Sequence, residues 1–186
     1  MFKKILYSAL VGLLVITPLT WLQVYFQICE YHHPNFWGLA WWAPASYAFV
    51  FVLMTLSFPP LERMLTATFA FSPWTLLLET AGILMAFLGP IFTRFYPYLM
   101  VFILSLYVLF RLGFFHAKWD WLFFLLGATV GPTLQVFLIS FDLYHFTDPD
   151  FLGIPYWLPF LCGIVAMAER RVADVIEGQH KSISEG

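Results

Sequence analysis

Apolar residues fill most of this 186-residue chain in runs, several approaching the roughly 20 residues that carry an α-helix across a bilayer. Short polar, Pro- or Gly-bearing segments divide the runs. The pattern predicts six helices, over residues 5–28, 38–58, 74–92, 97–115, 119–141 and 154–167. The first opens after Lys3-Lys4. It is longer than a signal-peptide core and has no small-x-small cleavage site, so it reads as a retained helix. The sixth is the shortest and ends at Glu169-Arg170-Arg171. Residues 173–186 are polar and read as a frayed tail. No internal repeat or low-complexity tract is evident. The expected organisation is an all-α polytopic membrane domain over 1–172, followed by a polar cytoplasmic tail over 173–186.

Composition strengthens the membrane reading. The chain is 61% hydrophobic and only 11% charged, whereas soluble domains carry about 25% charged residues. Its mean hydropathy is +0.81. A soluble globule of this size could not bury that much apolar surface. A net charge of −2 argues against general nucleic-acid binding. Cys29 and Cys162 lie in or beside apolar runs and imply no disulfide framework.

Charge placement then sets an orientation. With the N-terminus cytoplasmic, the inner segments hold Lys3, Lys4, Arg63, Arg111, Lys118, Arg170, Arg171 and Lys181, and the outer segments hold only Arg94. That asymmetry follows the positive-inside rule. An odd number of helices would place the basic tail outside. Six transmembrane helices with both termini in the cytoplasm is the expected topology.

Within the apolar layer, Pro18, Pro44, Pro90 and Pro132 each free a backbone carbonyl that neighbours or a cavity must satisfy. Gly89-Pro90 and Gly131-Pro132 repeat one pair in the third and fifth helices. Kinked helices that diverge would open a lipid-accessible crevice; simple packing adjustment is the alternative. Glu79 lies a turn inside the third helix, where a carboxylate must face protein, water or the interface. It could bond a lipid hydroxyl, act as a proton site, or sit at headgroup depth. Gln135 in the fifth helix fits interhelical bonding or ligand contact. Gln23 and Gln27 read as interfacial.

The outer side gathers Glu30, His32 and His33 in one loop and Asp142, His145, Asp148 and Asp150 in another. These residue types bind metals, but the spacing matches no known ligand set and no H-E-x-x-H is present. Asp148-Pro149 suits a turn, and Asp150 could cap the last helix region. The chain also has no phosphate loop, nucleophile elbow or CxxC pair. No catalytic residue, metal or cofactor is expected.

Two segments resemble a known family. Residues 146–159 (Phe-Thr-Asp-Pro-Asp-Phe-Leu-Gly-Ile-Pro-Tyr-Trp-Leu-Pro) are similar to the signature before the last helix of the Insig proteins, and Ala40-Trp41-Trp42-Ala43-Pro44 resembles the start of that family's second helix. The resemblance implies six helices with cytosolic ends, and lipid sensing without catalysis. Animal Insigs bind oxysterols and hold the sterol-sensing domains of Scap and HMG-CoA reductase. Microbial relatives hold diacylglycerol-like lipids among their helices, one of them as a trimer. Carried over by position, a Phe and a Gly of the third helix fall on Phe87 and Gly89, beside Pro90. The partner-binding aspartate falls near Phe115 or His116, and the sterol-recognising Gln and Trp near Tyr98 and Arg111; none is retained. These departures argue against a Scap-type partner and toward a prokaryotic cell membrane.

The expectation is therefore a multi-pass, non-catalytic protein holding a diacylglycerol- or sterol-like lipid among kinked helices, with a homotrimer compatible. Acyl chains gain little on moving from lipid to protein, so selectivity must come from cavity shape and a few polar groups. Glu79, Phe87, Gly89 and Gln135 are the expected lipid-binding residues, with Tyr98 and Tyr107 secondary. Two rival classes remain: a membrane-embedded lipid-modifying enzyme using the outer His/Asp cluster, and a small transporter. The scarcity of intramembrane polar residues disfavours transport.

Overall fold

The computed structural model describes residues 2–35, 37–65, 73–115 and 119–184. Its elements are α1 (Phe2–Val11), a π-helical turn (Gly12–Ile16), α2 (Thr17–Tyr25), β1 (Cys29–Tyr31), α3 (Ala43–Leu65), α4 (Pro73–Phe92), α5 (Pro97–Phe114), α6 (Asp120–Ser140), β2 (Tyr144–Phe146) and α7 (Leu158–Ser184). Because α1, the π turn and α2 run on as one rod, the described helices form six rods, close to the six expected runs. Pro18 explains the π turn: its ring cannot donate and crowds the preceding carbonyls, and a wider turn relieves the conflict. Pro44, expected as a breaker, sits instead in the first turn of α3, where a missing N–H costs nothing. Residues expected to fray also differ, because α7 continues as helix to Ser184.

Three described helices are long and apolar enough to cross a bilayer: Ile5–Tyr25, Pro97–Phe114 and Asp120–Ser140. Ala43–Phe58 and Leu77–Phe92 are shorter apolar stretches. In α5, Met100, Leu104, Tyr107, Val108 and Arg111 are buried, while Phe102, Leu106 and Leu109 on other faces are exposed. A helix that is apolar both inside and out is suited to lipid rather than water. The central rod is α7, which packs against α3, α4, α5 and α6. Its Ile164, Ala166 and Met167 are fully buried.

The chain contains an internal repeat, contrary to the expectation of none. Phe26, Pro34, Phe36, Gly38, Trp42 and Pro44 recur in register as Phe141, Pro149, Phe151, Gly153, Trp157 and Pro159. The backbone repeats as well. Gln27 and Asp142 have φ of 56° and 58°, Trp37 and Leu152 have 48° and 52°, and Gly38 and Gly153 have 90° and 81°. Asn35 N–H donates to the Leu39 carbonyl as Asp150 N–H does to Ile154. The Tyr31–Trp42 ring pair matches Phe146–Trp157. Thus α1–α2–β1–α3 and α6–β2–α7 are two copies of one unit, with the α4–α5 hairpin between them.

The copies meet at a two-stranded antiparallel sheet in segments expected to be loops. Cys29 pairs with Phe146, Glu30 with His145, and Tyr31 with Tyr144. That register is symmetric about the Glu30–His145 pair, as a local two-fold requires. The close crossings repeat too. A Cβ on Gly12 would lie 2.8 Å from the Ala48 Cα, and one on Gly127 would lie 2.6 Å from the Cys162 carbonyl oxygen. Only a residue without a Cβ lets these backbones approach so closely.

Candidate functional site

The two ends of the bundle differ in chemistry. At the end opposite the sheet, four helices bring charges together. From α5, Arg111 donates through Nε and Nη2 to Glu79 Oε1 of α4, at 2.8 and 2.5 Å, and through Nη1 to the Phe115 carbonyl. Its Nη2 also lies 3.2 Å from Asp120 Oδ2, at the start of α6. From α7, Arg170 Nη1 and Arg171 Nη2 each donate to Asp120, at 2.6 Å. The Arg170 guanidinium further covers the Phe123 ring, 4.5 Å from its centroid. All five charged side chains are buried, at 3% exposure or less.

A second network completes this end. The Ser8 and Thr55 hydroxyls both donate to Glu169 Oε1, at 3.1 and 2.6 Å, joining α1 and α3 to α7. Every rod therefore sends a polar side chain to this end. Buried charges need such partners, because desolvation outweighs the attraction of an incomplete pair. The chemistry is that of a clasp, with cations and carboxylates already engaged with one another.

Sequence reading missed this cluster. Arg111, Arg170 and Arg171 were counted as inner-segment cations; in the structure they are internal. Lys118, from the same count, and His116 lie outside the described residues. A signal was nevertheless present. Arg111 and Asp120 fall inside predicted apolar helices, where ionisable groups must find partners.

The expected lipid-contact residues are spread through the bundle. Glu79 belongs to the clasp. Phe87 lies farther along α4, with its side chain in the core and its carbonyl accepting from Gln23 Nε2 at 3.0 Å. This bond places Gln23, expected at the interface, in the interior at 5% exposure. Gly89 faces α5, where a Cβ would meet the Met100 side chain at 2.6 Å. Gln135 Oε1 accepts from the Tyr144 hydroxyl, tying α6 to β2. Between α4 and α6 lies α7, packed against both.

The sheet end is more open. The Cys29 thiol is buried, and burial with the neighbouring Glu30 carboxylate pushes its pKa up to about 12. It behaves as a packed apolar group rather than a nucleophile. His32 Nε2 lies 3.0 Å from Asp142 Oδ1, and His145 Nε2 lies 3.7 Å from Glu30 Oε2. The His32 and His145 rings meet edge-on at 5.3 Å. Glu30 and His145 thus pair across the two strands, with His32 and Asp142 paired beside them. Asp150 Oδ2 accepts from the Tyr156 N–H at 2.9 Å, bracing the turn that leads into α7.

Beside that turn is a cavity of about 300 Å³ between the α4–α5 turn and the second copy's loop. Its lining includes Pro90, Thr93, Arg94, Thr147, Asp148 and Trp157. Of the residues expected at a crevice only Pro90 lines it; Glu79, Phe87, Gly89 and Gln135 do not.

No protein-family model matches the chain, and no curated protein matches it in sequence. Solved structures do. The crystal structure of a mycobacterial Insig homologue, MvINS from Mycobacterium vanbaalenii, superposes with a TM-score of 0.76 at 16% identity, covering 94% of this chain and 95% of that one. A cross-linked MvINS trimer gives a TM-score of 0.75 at the same identity and coverage. At that identity the likeness is one of fold. With its apolar helices and this architecture, the chain is an integral membrane protein of Insig-like fold.

Proposed function

We propose that this chain is a non-catalytic, multi-pass membrane protein that holds a diacylglycerol- or sterol-like lipid among its helices. In this reading residues 1–172 cross a prokaryotic cell membrane six times, both termini are cytoplasmic, and the buried charge clasp lies at the cytoplasmic end. Residues 173–186 extend from it as a polar segment. The observation that carries the reading is the likeness to an Insig homologue over nearly the whole chain. The departures at Phe115, Tyr98 and Arg111 favour a two-tailed lipid over an oxysterol and a Scap-type partner. A homotrimer is the proposed assembly, by analogy with the cross-linked trimer of the mycobacterial protein.

Lipid tails are solvated equally well by protein and by neighbouring lipid, so recognition must rest on shape and on polar groups near the headgroup. Phe87 and Gly89 would contribute shape, with the polar contact from Gln135 toward the sheet end or from Glu79 at the clasp end. Gln135 already accepts one hydrogen bond, and its amide N–H groups remain chemically suited to an ester or hydroxyl oxygen.

Combining Glu79→Gln, which keeps an acceptor toward Arg111, with Gln135→Ala is expected to lower retained neutral lipid by roughly tenfold, the effect of losing a buried polar contact. Lipid quantified per protein, alongside the unfolding midpoint of each variant, checks this. Unchanged occupancy in a folded double variant would show both residues to be structural.

A further inference from the structure

The two copies of the repeat share a backbone, yet only one carries acidic side chains in its loop. His32, His33 and Asn35 of the first copy stand where the second has Thr147, Asp148 and Asp150. Because Asn35 and Asp150 make the same main-chain bond, the fold does not require a carboxylate there. The acidic copy's loop lines the cavity beside Arg94 of the α4–α5 turn.

These residues enclose the roughly 300 Å³ cavity at the sheet end. Among the described residues Arg94 engages its neighbours at long range: Nε lies 3.5 Å from Asp148 Oδ2, and Nη1 lies 3.4 Å from the Phe26 carbonyl. A guanidinium has five N–H donors and favours phosphate oxygens. Thr147 Oγ1 is buried and has no hydrogen-bond partner among the described residues. Such an atom needs a partner, and none of the described residues supplies one. Asp148 and Asp150 are exposed and line the same cavity. Next in sequence to lining residues, Phe92, Phe95, Tyr98 and Phe151 are each more than half exposed, and Tyr98 stacks on Tyr156 at 6.2 Å. Cation, carboxylates and orphan hydroxyl meet where the apolar helices α4 and α5 are joined.

We propose that this cavity binds a zwitterionic phosphoethanolamine group, with the phosphate on Arg94 and the primary ammonium between Asp148 and Asp150. Thr147 Oγ1 bonds the phosphate or its ester oxygen. The exposed aromatic side chains of neighbouring residues favour a phospholipid headgroup as the source, its chains lying along α4 and α5. This site is separate from the neutral-lipid cavity proposed above and stands or falls independently of it.

The full chain is reconstituted into nanodiscs holding equal parts of dioleoyl phosphatidylethanolamine, phosphatidylcholine and phosphatidylglycerol. Retained lipid is then read by native mass spectrometry. Wild type should enrich phosphatidylethanolamine over both others. Asp148→Asn combined with Asp150→Asn should reduce that enrichment by about tenfold, since charged hydrogen bonds are lost. The asparagine at 150 keeps a side-chain oxygen able to accept from the Tyr156 N–H. Asp142→Asn, which removes a carboxylate at the same end but outside the cavity, should leave enrichment unchanged. Addition of soluble O-phosphoethanolamine separates the sources: displacement of the lipid at matched concentration assigns the site to the free zwitterion, and retention assigns it to the lipid. Equal retention of the three lipids by wild type, or enrichment unaffected by the double variant, would overturn the proposal.

Discussion

Replacing Asp120 with alanine is expected to cost roughly 3–5 kcal/mol of folding stability, the range seen when one partner of a buried ion pair is removed. Asp120 is fully buried and faces three guanidinium groups. It accepts from Arg170 and Arg171 at 2.6 Å, and Arg111 Nη2 lies 3.2 Å away. Without it, three cations from two helices share a dry site with Glu79 alone. Their mutual repulsion would drive α5, α6 and α7 apart or draw water into the bundle. Asp120→Asn keeps an oxygen acceptor but loses the charge, so its cost should be intermediate. Chemical or thermal unfolding in one detergent, with all variants side by side, checks the order. An alanine variant within about 0.5 kcal/mol of wild type, the range of ordinary surface changes, would show that the clasp contributes little to stability.

The second large effect lies at the helix crossings. Gly127→Ala would place a Cβ 2.6 Å from the Cys162 carbonyl oxygen and 2.5 Å from the Ala166 Cβ. The first contact is backbone, so no side-chain rotation relieves it and α6 must move off α7. Overpacking of this kind costs about 1–3 kcal/mol, and Gly127→Leu should exceed that. The repeat predicts the same behaviour at Gly12, where the clash is with the backbone of Ala48 and Tyr47. Gly113→Ala is the internal control, because a Cβ there meets nothing within 4 Å. It should be neutral or stabilising by up to about 1 kcal/mol through helix propensity. Midpoints of thermal unfolding separate these cases. If Gly113→Ala and Gly127→Ala behaved alike, the close crossing would carry no energetic weight.

The six helical rods were legible because apolar runs and Pro- or Gly-bearing breaks are local signals. Their partners were not. Glu79, Arg111, Asp120 and Arg171 lie on four helices, and a pattern read one helix at a time cannot say that their faces converge. Charges near predicted helix ends read naturally as loop cations, which concealed Arg170 and Arg171. Gln23 was misplaced for the same reason: its depth depends on the Phe87 carbonyl of a distant helix. The repeat, by contrast, was present in the sequence. Phe26, Pro34, Gly38 and Trp42 recur as Phe141, Pro149, Gly153 and Trp157. The matches are sparse, falling where turns and aromatic packing constrain the chain, while the helices between them have diverged. The β1–β2 pair was hidden by its length, since a three-residue strand carries almost no alternation.

For the candidate lipid site, the sequence supplied residue types and the structure supplies neighbours. Glu79 is held by Arg111 and Gln135 by Tyr144. Both polar candidates are therefore pre-positioned by protein contacts. Such positioning lowers the entropy lost when a ligand binds.

The central claim is that one neutral lipid is held specifically within the bundle. It is tested most directly by purifying the protein in mild detergent, washing it extensively, and extracting retained lipid for mass spectrometry beside a detergent-matched control membrane protein. Near-stoichiometric enrichment of a diacylglycerol- or sterol-like lipid is the predicted result. Retained lipids that mirror the bulk membrane, in the same proportions as the control, would contradict it.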